Sequence, residues 1–266
     1  MPTWRELIAA SGLPASEAQL LAAHAASRPR SWLLAHDDEE AGATADALRA
    51  LYARRQAGEP IAYITGEREF YSLEFTVTPD VLIPRPETEL LVDLALERLP
   101  QGGRLLDIGT GSGAIAVAVA HARPDASVSA CDISQAALQV ARGNAARHGT
   151  QIEFRHSDVL DAYAGERFDI IVSNPPYIAE QDAHLGQGDV RFEPRLALTS
   201  GADGLGLIRR IAGDARTHLH AGGWLLFEHG HDQGTACTAL LRSLGCAEVN
   251  GHADLAGIAR VCVGRA

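Results

Sequence analysis

Apolar residues recur at helical spacing in the first part of the chain. Trp4, Leu7 and Ile8 share one face, Leu20 and Leu21 sit in an alanine-rich run from Ser16 to Ala26, and Leu48, Leu51 and Tyr52 follow Thr44, a residue suited to cap a helix. Residues 1–60 are therefore expected to form a small helical bundle. From Ile61 to Ile83 the pattern shifts to aromatic and β-branched residues broken by Gly66, Pro79 and Asp80, as in Tyr63-Ile-Thr-Gly66 and Phe70-Tyr-Ser-Leu-Glu-Phe-Thr-Val77. This change predicts a hairpin connector over 61–83. Beyond Pro84 a helix is expected through Leu99. Strand-like and helix-like stretches then alternate: Arg104 to Ile108, Ala114 to Ala122, Ser127 to Asp132, Ser134 to Arg147, Ile152 to His156, Ile170 to Ser173, Ala202 to Leu219, Trp224 to Glu228, Gly234 to Leu244, then Val249 and Ile258 to Val263. This order specifies an α/β, doubly wound, Rossmann-like sheet over 84–266 rather than a barrel of eight regular repeats.

With 46% hydrophobic and 21% charged residues over 266 positions, the chain has enough apolar surface for a substantial core. Its formal net charge is -11, and every one of its 23 basic side chains is arginine. A broad cationic footprint for a phosphate backbone is missing, so a direct nucleic-acid substrate is not expected. Cys131, Cys237, Cys246 and Cys262 show neither metal-ligand spacing nor a disulfide framework and read as reduced thiols. No apolar run reaches membrane-spanning length and the start of the chain does not resemble a signal peptide, so a cytoplasmic setting without a membrane partner is expected.

Candidate chemistry begins at the first strand of the α/β region. Asp107-Ile-Gly109-Thr110-Gly111-Ser112-Gly113 follows that strand and opens a helix, where glycines permit a tight turn and close approach of backbone to a ligand. Asp132 ends the second strand, in a position to bind ribose hydroxyls, and Asp158 followed by Val159 ends the third. The glycine loop alone also satisfies the dinucleotide fingerprint of a dehydrogenase and leaves that reading open.

Asn174-Pro175-Pro176-Tyr177, at the end of the apolar run Phe168 to Ser173, narrows the chemistry. An amide nitrogen is a poor nucleophile because its lone pair is delocalised into the carbonyl. The Asn174 side-chain oxygen and the Pro175 backbone carbonyl supply two acceptors for the hydrogens of a planar NH2 group, which would aim its lone pair and stabilise the charge growing on nitrogen. The two prolines stiffen the segment, and Tyr177 offers a flat wall. An exocyclic amine on a flipped base poses the same problem, so this segment alone fits a nucleic-acid methyltransferase as well. A noncatalytic binding module is a further alternative.

The acids and glycine loop together resemble the class I S-adenosylmethionine-dependent methyltransferases. Over nearly its full length the chain is similar to the protein-(glutamine-N5) methyltransferase (PrmC/HemK) family. The resemblance rests on Asp107 to Gly113 and Asn174 to Tyr177, and on Ile83-Pro-Arg-Pro-Glu-Thr-Glu89, Gln181-Asp182, Glu193-Pro194, Ala202-Asp-Gly204, Glu228-His-Gly230 with Gln233, and Asp254-Leu-Ala-Gly257. It implies a seven-stranded methyltransferase domain behind a helical substrate-recognition domain and a hairpin, with S-adenosylmethionine as co-substrate and no metal. The implied substrate is the Gly-Gly-Gln glutamine of bacterial-type class I peptide chain release factors. The implied cofactor residues are Asp107, Gly109, Thr110, Gly111, Ser112, Gly113, Asp132, Asp158, Val159 and Asn174. Asn174, Pro175, Pro176 and Tyr177 are implied to clamp the substrate, with Asn174, Pro175 and Tyr177 catalytic.

Some members have an aromatic residue where this chain has Val159, so stacking on adenine is replaced by apolar contact. Arg85, Thr88 and Glu89 are expected near the site without an assigned role. Gln187 to Pro194 reads as a segment that closes over the cleft, and His229 and His231 as loop polarity rather than metal ligands.

Overall fold

The computed structural model describes residues 1–266, which divide into two compact units: Met1–Glu67 with Gly186–Phe192, and Arg68–Leu185 with Glu193–Ala266. The first unit holds α1 (Trp4–Ala10), α2 (Ala15–Ala26), α3 (Arg30–Ala35), α4 (Thr44–Gln56) and α5 (Ile61–Thr65). A capping box starts α1: the Thr3 hydroxyl accepts from the Glu6 amide, and Glu6 accepts from the Thr3 amide. Trp4, Leu21, Leu33, Leu48 and Tyr52 meet in its core, where the Tyr52 hydroxyl donates to the Ala18 carbonyl at 3.1 Å.

Three expectations change here. Thr44 is the first residue of α4 and makes no side-chain cap. Residues 61–65, read as hairpin, are helical: Tyr63 and Ile64 are buried and Gly66 ends the turn at φ +76°, so packing overrides strand propensity. The segment 187–194 divides between the units. Asp189 pairs at 2.8 Å with Arg55, which also pairs with Glu17 at 2.7 Å, and Arg191 donates to the Ala57 carbonyl. Residues up to Phe192 thus belong to the helical unit, whereas Glu193 belongs to the other.

A two-stranded hairpin follows α5, with β1 (Glu67–Phe70) and β2 (Leu73–Thr76). Its turn residues Tyr71 and Ser72 both have positive φ, 53° and 60°, as a tight hairpin turn requires but neither residue favours. Compensating bonds hold them: the Tyr71 amide donates to Glu89, its hydroxyl to Asp93, and the Ser72 amide to Glu69. Glu89 is accordingly a structural acceptor.

The remaining elements are α6 (Glu89–Arg98), β3 (Arg104–Ile108), α7 (Ala114–Ala122), β4 (Ser127–Asp132), α8 (Gln135–Arg147), β5 (Ile152–His156), β6 (Phe168–Ser173), α9 (Gly206–His218), β7 (Leu219–Glu228), α10 (Gly234–Ser243), β8 (Ala247–Ala253) and β9 (Ala259–Arg265). The seven strands β3 to β9 form one sheet in the order β5-β4-β3-β6-β7-β9-β8, parallel except for β9, which runs antiparallel to both neighbours. Alternate residues feed opposite faces. Leu105, Ile170, Val172, Leu226 and Val263 pack with α6 and α7, while Leu106, Ile171, Leu225, Phe227 and Cys262 pack with α9 and α10. In α9 the buried set Ile208, Ile211, Ala212 and Ala215 follows the helical repeat.

Asn144 of α8 ties the hairpin to the loop after β3. Fully buried, it accepts from the Thr76 amide at 2.8 Å and donates to the Thr76 and Ser112 carbonyls at 3.0 and 2.8 Å. Asn144→Ala is expected to lower unfolding free energy by about 2–4 kcal/mol, because buried backbone groups lose partners that water cannot replace. Urea denaturation measures this; a loss under about 0.5 kcal/mol, the range of an ordinary surface change, would show that the bonds are dispensable.

Candidate active site

Strand order reverses between β3 and β6, and at that point an open α/β sheet leaves a crevice beyond the carboxyl ends of its strands. A cavity of about 530 Å³ lies there. Its walls include Gly109 to Ser112 from the β3 loop, Asp132 after β4, Asp158 and Val159 after β5, and Asn174 and Pro176 after β6. Gly109 and Gly111 have φ of +70° and +56°, and a Cβ built on either would meet no atom within 4 Å. The turn therefore needs glycine for its backbone conformation, and the space above it is left for a ligand.

Two residues expected to hold the cofactor stand behind the lining. Asp107 is fully buried beneath the loop and accepts from the Thr110 hydroxyl at 2.6 Å. A Cβ on Gly113 would lie 3.1 Å from the Ala141 Cβ, so this glycine lets α7 pack against α8. Pro175 and Tyr177 likewise lie outside the lining. Asp132 accepts from the Gly111 amide at 2.9 Å and the Ser134 amide at 2.8 Å, one on each oxygen, which leaves a further lone pair on each. Asp158 pairs with Arg210 of α9 at 3.0 Å, a partner no motif in the sequence announces.

From the cavity wall, where Asn174 and Thr88 both stand, a buried polar chain runs inward to Glu228. Asn174 Nδ2 donates to Thr88 Oγ1 at 3.0 Å, the Thr88 hydroxyl to Glu228 Oε2 at 2.6 Å, and the Tyr177 hydroxyl to Glu228 Oε1 at 3.1 Å. Gln233 Nε2 donates to the Tyr177 carbonyl at 2.9 Å while its Oε1 accepts from the Gly230 amide at 2.8 Å. A Cβ on Gly204 would fall 2.1 Å from that same Tyr177 carbonyl, so only glycine fits opposite it. Arg85 pairs with buried Glu193, whose second oxygen accepts from the Ile83 amide at 3.2 Å. Burial raises the affinity of Glu228 for a proton, opposed by the two hydroxyl donors and the charge of Arg260. Burial beside Glu228 raises the Tyr177 pKa above the usual tyrosine range, so its hydroxyl keeps its proton.

His229 is buried, its Nδ1 2.8 Å from the Gly230 carbonyl, and burial depresses its pKa. No three His, Cys, Asp or Glu side chains are grouped to hold a metal. Asn174 Oδ1 is buried without a hydrogen-bond partner at the cavity wall, an arrangement that costs free energy unless a ligand donates to it.

This sheet order, with a glycine turn and an acid at successive strand ends, defines a class I methyltransferase fold. A methyltransferase from Pyrococcus furiosus shares it with TM-score 0.57 at 18% identity, over 80% of this chain and 96% of its own. Residues 86–189 match the methyltransferase small domain family and residues 3–66 the PrmC N-terminal domain family. Proteins named release factor glutamine methyltransferase from Bordetella pertussis, Burkholderia pseudomallei and Neisseria gonorrhoeae are 54%, 52% and 51% identical to it, each match spanning 99% of this chain and 99%, 96% and 97% of the relative. The chain belongs to the release factor glutamine methyltransferase family.

Desolvation raises the Asp107 pKa from the ordinary 3.8 to about 7. The folded state therefore favours protonated Asp107, and this contribution is fully present below pH 4 and lost as pH rises through about 7. The gap corresponds to roughly 4 kcal/mol. Unfolding free energy followed over this range is expected to fall more steeply with pH in the wild type than in Asp107→Asn; parallel curves would contradict a buried, proton-binding Asp107.

Proposed function

We propose that this chain transfers a methyl group from S-adenosylmethionine to the side-chain nitrogen of the Gly-Gly-Gln glutamine in bacterial-type class I release factors, giving N5-methylglutamine and S-adenosylhomocysteine. The unpaired Asn174 Oδ1 at the wall of a glycine-lined cavity carries this reading. Family membership narrows the NH2-bearing substrate to glutamine.

Bound S-adenosylmethionine supplies a methyl on a positively charged sulfur, which keeps the bonding pair and departs as a thioether. The turn from Gly109 to Ser112 would cradle its methionine part, Asp132 its ribose hydroxyls, and Asp158 with Val159 its adenine; Asp107 and Gly113 shape that turn from behind. Asn174 Oδ1 and the Pro175 carbonyl accept the two amide hydrogens, turning the nitrogen lone pair toward the methyl and offsetting the charge that builds as the N–C bond forms. The proton then leaves the alkylated nitrogen for solvent. Pro176 walls the planar amide, and Tyr177 supports that wall from outside the lining. No metal enters this chemistry. The helical unit, Met1–Glu67 with Gly186–Phe192, is assigned to recognising the release factor in the cytoplasm, without direct nucleic-acid contact.

Mass spectrometry of unmodified release factor incubated with the enzyme and S-adenosylmethionine is expected to map one added methyl to the Gly-Gly-Gln glutamine. Methyl label appearing in nucleic acid instead would overturn the substrate assignment. Asn174→Ala is expected to slow transfer about 100-fold while changing S-adenosylmethionine affinity by less than about threefold. Asp132→Ala is expected to do the reverse, weakening calorimetric affinity at least about tenfold; unchanged affinity would remove Asp132 from the ribose site.

A further inference from the structure

Hydrogen-bond direction around Asn174 determines which end of its amide meets the substrate. A threonine hydroxyl has one proton to give, and a carboxylate only accepts. Thr88 Oγ1 lies 2.6 Å from Glu228 Oε2 and 3.0 Å from Asn174 Nδ2. With its proton directed to Glu228, Thr88 presents only an acceptor to Asn174, so the NH2 end of the amide must face it. Oδ1 is thereby the end left unpaired. Tyr177 donates to the other oxygen of the same carboxyl group, so one buried group holds both Thr88 and Tyr177.

We propose that Thr88 and Glu228 are positioning residues, the Glu228 carboxylate setting, through the Thr88 hydroxyl, the polarity of the Asn174 amide so that Oδ1 rather than Nδ2 receives the substrate NH2. A reversed amide would set donor against donor and lose the interaction that orients the lone pair. The proposal rests on the reading of Asn174 as the acceptor for the substrate nitrogen. It accounts for a glutamate and a threonine buried far from each other in sequence but joined at 2.6 Å.

The test is a double-mutant cycle in the full chain. Thr88→Val keeps the side-chain shape without a proton to donate and is expected to lower kcat about 100-fold, with the KM for S-adenosylmethionine within about threefold of wild type. Thr88→Ser is expected to restore most of the rate. On an Asn174→Ala background Thr88→Val is expected to add little, because the acceptor it orients is gone. Equal losses in both backgrounds, a serine variant as slow as valine, or a valine variant within about threefold of wild type would each overturn the proposal. If valine does not fold, as judged by thermal melting, Thr88→Ala carries the same expectation. Hydrogen exchange of the Asn174 side-chain NH2, followed by NMR on 15N-asparagine-labelled protein, needs no turnover: protection in wild type and its loss without the Thr88 hydroxyl are expected, and equal exchange overturns the lock. A wild-type chain that shows the protected NH2 but methylates no release factor would sink the functional reading and leave the lock standing.

Discussion

The reversal of strand order between β3 and β6 is the constraint on which the rest of the site depends. Right-handed crossovers leaving a parallel sheet on opposite faces cannot cover the edge between the two strands where they diverge, so a crevice is built into the topology. Both informative segments of the chain emerge there, the glycine turn from β3 and Asn174 to Tyr177 from β6. The two strands are paired in register from Leu105 with Ile170 to Ile108 with Ser173. The Ser173 hydroxyl donating to the Ile108 carbonyl at 2.7 Å pins their ends together, fixing the separation between the glycine turn and Asn174.

Around this crevice the molecule keeps polar groups buried at some energetic cost. Glu228, Thr88, Glu193 and Asp107 are all nearly or fully inaccessible. Each would be destabilising alone, and most are offset by directed hydrogen bonds, which are stronger in a region of low dielectric. The result is a scaffold whose dipoles are set before substrate arrives, so little reorganisation remains for the moment of transfer. The exceptions are Asn174 Oδ1, Asp107 Oδ1 and His229 Nε2, which have no partner. The first is open to a functional explanation because Asn174 lines the cavity, whereas Asp107 lies under the loop.

Much of the fold was legible because apolar periodicity and glycine punctuation are local signals. Ala114–Ala122 and Ile152–His156 fall where the pattern places them. The helix at Ile61–Thr65 was not legible, since Tyr63 and Ile64 favour strands and only burial beside other helices makes them helical. The cavity-lining positions from Gly109 to Ser112, Asp132, Asp158 and Asn174 could be read from strand-end placement. Their supports could not: the links from Asn174 to Thr88 span 86 residues and from Thr88 to Glu228 a further 140, and Arg210 reaches Asp158 from the surface of a helix. Thr88 and Glu228 stand out in the sequence only as members of the short strings that carry the family resemblance, which mark a residue without saying what it touches.

The passage of Gly186–Phe192 through the helical unit has a consequence for how this protein can be cut or recombined. The backbone leaves the sheet unit nine residues after Tyr177 and returns at Glu193, whose carboxylate holds Arg85 and the Ile83 amide. Deleting residues 1–67 would strand Asp189 and Arg191, whose partners are Arg55 and Ala57, in a stretch of chain tethered at both ends to the catalytic sheet. The two units are therefore threaded rather than strung in series, and neither is a cassette that a single crossover or protease nick could release intact.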